Sequence, residues 1–359
     1  MDRVIISGGG TGGHIFPAVA IADEIRNRYP NVKILFVGAA GRMEMEKVPQ
    51  AGYDIIGLPI AGIQRKLTLS NLMVPFKLIK SIWKAKKILN EFKPQAVIGV
   101  GGYASAAVLY AASGKGIPCL IQEQNSYAGL TNKWLSKKVK KICVAYENME
   151  KFFPKEKIVI TGNPVRKEIY KAIGADKKAA KTSLGFDANQ ALVLIIGGSL
   201  GARTINNSIQ SGLDVFESKC VQVMWQTGKF FEADVRDRKL VKASAFISDM
   251  CTAYSAADIV VSRAGALSVS ELCLIGKAAI LVPSPNVAED HQTGNAMALV
   301  KEGAAVMVRD SSAGTELVNK VVELIDKPEL ILQLERKIGE LSKPDALKNI
   351  VNEIETILL

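Results

Sequence analysis

Short, wholly apolar runs recur along the chain. Each closes on a glycine or polar turn, and a longer stretch follows in which apolar positions return every three or four residues. Residues 4–7, 32–37, 96–100, 117–122 and 141–144 read as buried parallel strands, which are apolar on both faces. Residues 15–29, 103–113 and 130–135 read as helices, with Pro17 tolerable in the first turn of the first, and another helix is expected from about residue 70 to residue 89. This is the βαβ rhythm of a doubly wound sheet. It breaks at Gly162-Asn163-Pro164, and the lysine- and alanine-rich residues 171–181 are expected to connect two domains. It restarts with strands at 192–196, 221–226, 241–246, 259–261, 279–282 and 305–308, and helices at 202–216, 266–275, 292–301 and 315–326. Beyond Pro328, polar-rich helices carry Leu347, Ile350, Val351, Ile354, Ile357 and Leu358 at spacings suited to packing across the back of the molecule.

The length of 359 residues exceeds the size at which one core usually stops growing, and 48% apolar residues supply two. The expected organisation is an N-terminal domain over 1–165, a second over 166–340, and a C-terminal helix over 341–359 packing back on the first. Cys119, Cys143, Cys220, Cys251 and Cys273 are scattered without a CxxC pair, which predicts buried thiols in a reducing compartment and no zinc site. The first strand begins at once and no apolar run reaches the roughly 18 residues a bilayer span needs. A cytoplasmic protein is therefore expected, free to touch a membrane surface.

Net charge is +11, and much of the excess is local. Arg65, Lys66, Lys77, Lys80, Lys84, Lys86, Lys87 and Lys93 face a single acid, Glu91, and Lys133, Lys137, Lys138, Lys140 and Lys141 form a second group. Both favour an anionic partner. In residues 67–87 the lysines alternate with Leu67, Leu69, Leu72, Met73, Val74, Phe76, Leu78, Ile79, Ile82 and Trp83. On a helix, such a segment puts apolar groups into a headgroup boundary and lysines on lipid phosphates; the plainer reading is an amphipathic helix whose apolar face is core. Nucleic acid is a poorer partner, because aromatics are sparse and no recognition module appears.

Two glycine-rich turns follow strands in equivalent places: Gly8-Gly9-Gly10-Thr11-Gly12-Gly13-His14, and Gly197-Gly198-Ser199-Leu200-Gly201-Ala202-Arg203. A glycine turn leading into a helix lets backbone N–H groups and the positive helix end meet an anion. Neither turn has the dinucleotide or the Walker spacing. His14 opens a helix, where the dipole disfavours the imidazolium and keeps a neutral ring available as a base. His291, in Glu289-Asp290-His291-Gln292-Thr293-Gly294-Asn295, sits where open sheets bind ligands, with direct contact and a supporting role equally open. In Ser262-Arg263-Ala264-Gly265-Ala266-Leu267-Ser268-Val269-Ser270-Glu271 the helix start suits a diphosphate and Glu271 suits the two hydroxyls of a ribose. Arg166, after Gly162-Asn163-Pro164-Val165, is a further phosphate candidate. Gly101-Gly102-Tyr103 and Gln122-Glu123-Gln124-Asn125 suit a polyhydroxylated ligand. Neither histidine has a metal-ligand pattern around it.

Taken in order, GGGTGGHIFPAVA (8–20), GGYAS (101–105), QEQNSYAGLTNKWLS (122–136), GNPVR (162–166), GGSLGAR (197–203), FISDM (246–250), SRAGALSVSE (262–271) and EDHQTGNA (289–296) closely resemble the MurG family of peripheral membrane glycosyltransferases. The resemblance implies an α/β chain of the GT-B class, two Rossmann-like doubly wound domains facing an interdomain cleft. It implies inverting transfer of N-acetylglucosamine from UDP-N-acetylglucosamine, a substrate and not a cofactor, to the muramoyl 4-hydroxyl of lipid I, forming lipid II. On the donor it implies Ile247 and Met250 at the uracil, Glu271 at the ribose, and Ser199, Arg166, Arg263, Ala266 and Leu267 at the diphosphate, with Gln292, Asn295 and Asn125 at the sugar. Thr11, Gly12 and Gly13 fall on both the donor and the acceptor side; Gly10, His14, Gly102 and Tyr103 belong to the acceptor, with His14 as general base. Leu72, Phe76, Ile79, Lys80, Ile82, Trp83 and Lys84 are the expected membrane contacts, by amphipathic character. The implied partners are lipid I, an anionic inner-leaflet surface on the cytoplasmic face, and candidate cell-wall synthesis proteins. Another GT-B transferase and a UDP-N-acetylglucosamine epimerase are the alternatives.

Overall fold

A computed structural model describes residues 1–60 and 74–359. Compactness divides the chain into two units, residues 1–166 with 344–359, and residues 167–343. In the first unit the elements run β1 (Arg3–Ser7), α1 (Gly12–Arg28), β2 (Lys33–Ala39), α2 (Glu44–Gln50), β3 (Asp54–Leu58), α3 (Val74–Phe92), β4 (Ala96–Gly99), α4 (Tyr103–Ser113), β5 (Cys119–Glu123), α5 (Leu130–Leu135), β6 (Lys141–Val144) and β7 (Ile158–Ile160). In the second they run α6 (Lys177–Ser183), β8 (Leu192–Ile196), α7 (Arg203–Ser218), β9 (Gln222–Gln226), β10 (Val241–Ser244), α8 (Met250–Ala256), β11 (Ile259–Ser262), α9 (Ala266–Ile275), β12 (Ala279–Leu281), α10 (His291–Val300), β13 (Val306–Met307), α11 (Ala313–Ile325) and α12 (Pro328–Glu340). The last helix, α13 (Ala346–Thr356), belongs to the first unit.

The first sheet has the order β3-β2-β1-β4-β5-β6-β7 and the second β10-β9-β8-β11-β12-β13, with parallel pairing throughout. Each order reverses direction once, between β1 and β4 and between β8 and β11, and such switch points open a crevice at the carboxyl ends of the strands. Alternation along the strands explains the layers. Val4 and Ile6 pack with Ile15, Ile21 and Ile25 of α1 and with Leu347, Ile350, Val351 and Ile354 of α13. Ile5, between them in sequence, packs on the opposite face with Ile88 and Leu89 of α3 and Leu109 of α4. In the second unit Val193 and Ile195 pack with Ile205, Ile209 and Leu213 of α7 and with Leu317 and Val321 of α11.

Four sequence expectations require correction. The first helix begins at Gly12, three residues earlier than the apolar periodicity indicates, so His14 lies within its first turn and Pro17 beyond it. Residues 171–181 are not a connection. They fall within the second unit, where Asp176 caps α6 through the Lys178 and Ala179 N–H groups, and the buried Lys181 ammonium donates to Asp258 Oδ2 at 2.6 Å. Ile82 turns inward and packs against the core of the first unit, because it shares a helical face with buried Ala85 and Leu89. Of the cysteines, Cys119, Cys143 and Cys273 are buried, but Cys220 is exposed at the end of α7 with φ of 53° and Cys251 is half-buried. Burial pushes the Cys119 and Cys273 thiols up to about 12, so both stay protonated at neutral pH.

Candidate active site: two switch-point crevices

In the first unit, the turn after β1 and the turn after β4 meet at the switch point. Gly9, Gly10, Gly101 and Gly102 all have positive φ. The contact is close: a Cβ on Gly102 would lie 2.6 Å from the Gly9 carbonyl oxygen, and one on Gly8 would lie 2.1 Å from a Val100 methyl. Only glycines let these two turns approach. Thr11 adopts an extended conformation as the N-cap of α1, which leaves the Gly12 and Gly13 N–H groups at the positive helix end without intrahelical acceptors. Tyr103 opens α4, and its ring is exposed.

His14 packs its ring edge on Gly101, where a Cβ would lie 2.8 Å from Nε2. Its Nδ1 is 3.0 Å from the Gly9 carbonyl oxygen. A carbonyl can only accept, so Nδ1 carries the proton and Nε2 carries the ring's basic lone pair. The tautomer a base needs is thus set by the backbone of the glycine turn.

Asn125, after β5, donates through its backbone N–H and its side-chain amide to Glu123 Oε1 at 3.1 and 3.4 Å. The other Glu123 oxygen accepts from the Gly129 N–H and from Asn132. One buried carboxylate therefore shapes the whole 124–132 loop. Arg166 holds its guanidinium over the Phe16 ring at 5.9 Å.

In the second unit the turn after β8 carries Ser199 at the surface, and Gln226 of β9 ties that turn to the loop after β10. Its amide donates to the Gly198 carbonyl at 3.1 Å, and its oxygen accepts the Ile247 N–H at 3.0 Å. The Ile247 N–H is thus already engaged within the protein. Met250 opens α8, where Asp249 caps through the Thr252 N–H and hydroxyl; these hydrogen bonds hold the Asp249 carboxyl below its usual range.

Across the second switch point, α9 starts directly after Gly265, so Ala266 and Leu267 lie in its first turn. Arg263 is anchored through one nitrogen, Nη1, on the Val282 and Pro283 carbonyls at 3.0 and 3.2 Å and on Asp310 at 2.5 Å. Asp310 also accepts the Thr204 hydroxyl, and so couples the two turns. Glu271 is only 6% exposed and accepts the Tyr254 hydroxyl at 3.0 Å. Gln292 accepts the Ser284 N–H and braces the loop after β12. Asn295 is fully buried and donates to the Ala264 carbonyl at 3.1 Å, which places it beneath the 263–265 turn and not at a sugar-facing surface. His291 is half-buried at the start of α10, after Glu289 and Asp290 with left-handed φ of 57° and 48°. Two such non-glycine residues in succession mark a strained turn.

The structure thus gathers Gly10–His14, Gly102 and Tyr103 at one crevice, and Ser199, Arg263, Ala266, Leu267 and Glu271 at the other. The supporting residues Gln226, Tyr254 and Asp310 carry no local sequence signal, whereas Glu123 stands within a run that the sequence already marks. Among the described residues, no group of histidine, cysteine or acidic side chains is arranged to hold a metal ion. A groove lined by Arg26, Lys33, Tyr53 and Asp54 lies at the opposite, amino-terminal edge of the first sheet.

The glycosyltransferase family 28 N-terminal domain matches residues 4–144, and the family 28 C-terminal domain matches residues 192–350. A UDP-N-acetylglucosamine--N-acetylmuramyl-(pentapeptide) pyrophosphoryl-undecaprenol N-acetylglucosamine transferase of Cytophaga hutchinsonii is 56% identical, covering 99% of this chain and 97% of its own. The same-named protein of Parabacteroides distasonis is 53% identical over 99% of this chain and 98% of its own. The crystal structure of Acinetobacter baumannii MurG superimposes with a TM-score of 0.80 at 31% identity, covering 99% of this chain and 100% of that one. The chain belongs to the MurG family. This MurG-family protein is a glycosyltransferase with the two Rossmann-like units of the GT-B class, and its family motifs supply both switch-point crevices.

Proposed function

We propose that this enzyme transfers N-acetylglucosamine from UDP-N-acetylglucosamine to the muramoyl 4-hydroxyl of lipid I, with inversion, giving lipid II and UDP. The observation that carries the reading is the unequal chemistry of the two crevices in a chain that matches its MurG-family relatives over nearly their whole length: a histidine with a set tautomer in one, a buried glutamate and an anchored arginine in the other. In the reaction, the acceptor oxygen bonds to the anomeric carbon as its proton passes to His14 Nε2, and the bond to the UDP oxygen breaks with its electron pair leaving on the diphosphate. The N-terminus of α9 at Ala266 and Leu267, Ser199 and the Arg263 guanidinium stabilise that departing charge. Glu271 receives the ribose, Ile247 and Met250 receive the uracil, and Gln292 and Asn125 orient the transferred sugar. Arg166 adds positive charge for a phosphate. Gly10 to Gly13, Gly102 and Tyr103 receive the acceptor diphosphate and sugar.

Labelled N-acetylglucosamine should pass to lipid I and not to other lipid-diphosphate sugars. Conversion of UDP-N-acetylglucosamine in the absence of any acceptor would instead favour the epimerase alternative and reject the transferase reading.

The acceptor's lipid tail asks for a membrane surface, and α3 is suited to one. Phe76, Ile79 and Trp83 are 67%, 55% and 73% exposed on a helix that also exposes Lys80, Lys86 and Lys87; Lys84 reaches the Gly57 carbonyl. Leu72 lies outside the described residues. No helix of the described residues is long and apolar enough to cross a membrane. We infer a peripheral attachment to anionic lipid on the cytoplasmic face through α3, beside cell-wall synthesis proteins; the exposed apolar and lysine side chains support this reading. Changing Phe76, Ile79 and Trp83 together to serine should weaken binding to phosphatidylglycerol vesicles by about tenfold or more, since each buried large apolar side chain contributes about 1.5–3 kcal/mol. UDP titration of the same variant should be unaltered, and unchanged vesicle sedimentation would reject this surface.

A further inference from the structure

Glu44 opens α2, beyond the carboxyl end of β2, and its side chain is 1% exposed. Among the described residues it forms no ion pair. Its partners are two backbone groups: the Gly10 N–H donates to Oε2 at 2.9 Å and the Ala39 N–H donates to Oε1 at 2.9 Å. A carboxylate without a cation is costly to bury, and only hydrogen bonds to the charged form offset that cost. The fold also makes room for it. A Cβ on Gly9 would lie 2.1 Å from Oε1, and one on Gly38 would lie 2.6 Å from Cγ. Two glycines on different segments thus clear the space that this carboxylate fills.

The N–H it holds belongs to the peptide between Gly9 and Gly10, whose other end is the Gly9 carbonyl that accepts His14 Nδ1–H. The chain has no cis peptide among the described residues, so the N–H and C=O of this unit point in opposite directions. One end is clamped by Glu44 and the other by His14. With glycine on both sides, little but these clamps opposes rotation of the peptide plane. If it rotated, the carbonyl would leave Nδ1, and the imidazole would lose the partner that selects its tautomer. The carboxylate also polarises the peptide and strengthens its carbonyl as an acceptor.

We propose that Glu44 is the positioning residue of the His14 base, acting through the single peptide group between Gly9 and Gly10. It does for the imidazole what an adjacent carboxylate does in other acid–base pairs, at one peptide's remove. The proposal rests on His14 being the base, and the experiment separates the two ideas.

The test uses the full chain as Glu44→Gln, His14→Ala and the double variant. Glu44→Gln keeps the volume but turns an N–H donor toward one of the two backbone N–H groups. It should lower kcat about 10- to 100-fold, the usual cost of losing a partner that orients a ligating or catalytic imidazole. UDP affinity should stay unchanged. The acidic limb of the kcat–pH profile should move, and the imidazole nitrogen NMR signals of His14 should shift toward a mixture of tautomers. With only two histidines in the chain, the His14→Ala spectrum assigns those signals. In the His14→Ala background, Glu44→Gln should have no further effect on kcat. An equal kcat loss in both backgrounds, or unchanged tautomer signals, overturns the proposal while leaving His14 as base. If His14→Ala keeps full kcat, the base assignment fails and the proposal falls with it. Should Glu44→Gln not fold, Glu44→Asp keeps the charge but is one methylene too short to span both N–H groups. It is expected to show the same tautomer shift, and its absence counts equally against the proposal.

Discussion

Replacing His14 by alanine is expected to lower kcat for transfer to lipid I by about 10²–10⁴-fold, the range that a positioned general base supplies. The affinity for UDP should change little, because Ile247, Met250, Glu271, Ser199, Arg263, Ala266 and Leu267, which carry most of the proposed uracil, ribose and diphosphate contacts, all lie in the second unit, while His14 lies in the first. The ring's hydrogen bond decides where its proton sits. Nδ1 faces a carbonyl and must carry the proton, so the lone pair is on Nε2. Steady-state kinetics with lipid I, read against calorimetric titration with UDP, checks both halves. A His14→Ala enzyme that retained its kcat and the pH dependence of kcat would show that another group or water accepts the proton.

Glu271→Gln should raise the UDP dissociation constant by about 10- to 100-fold, because hydrogen bonds to a charged group contribute about 1.5–3 kcal/mol. Glu271 lies in the second turn of α9, is almost wholly buried, and is held by the Tyr254 hydroxyl. The neutral amide keeps the shape and loses the charge. Uridine monophosphate and its 2′-deoxy counterpart provide the decisive comparison: the wild type should prefer the ribose form, and Glu271→Gln should lose most of that preference. Equal discrimination by both proteins would remove Glu271 from the ribose site. Tyr254→Phe, which removes only the supporting hydroxyl, should cause a smaller loss of the same kind.

Most of the two sheets is legible in the sequence because a parallel strand covered on both faces must be a continuous apolar run. Residues 141–144 and 192–196 are recovered at the same bounds, and so are the helices at 103–113, 130–135 and 266–275. The elements that escape are those without this signature. β3 is a half-buried edge strand that begins with Asp54 and contains Gly57, and α2 is seven residues long with Pro49 inside it. Lysine- and alanine-rich residues 171–181 have the composition of a tether and of a surface helix alike. Their place in the second unit is decided by the Lys181 and Lys177 contacts to Asp258, a residue far away in sequence.

The candidate site divides in the same way. Glycines at a switch point, a histidine or an arginine beside them, and a glutamate two turns into a helix are local features, because the turn and the helix start are themselves local. By itself the sequence therefore determined the α/β class, the paired glycine turns, the family to which their ordered motifs point, and His14, Arg263 and Glu271 as the groups to watch. Only the tertiary structure decided that Ile82 faces the core, that Asn295 supports a turn from beneath, and that Arg263 is anchored by Asp310. It alone brought Glu44 to the Gly9–Gly10 peptide. A hydrogen bond between residues 34 positions apart leaves no periodicity to read. It exists because β1 and β2 are neighbours in one sheet, and that adjacency brings their following loops together at its carboxyl edge.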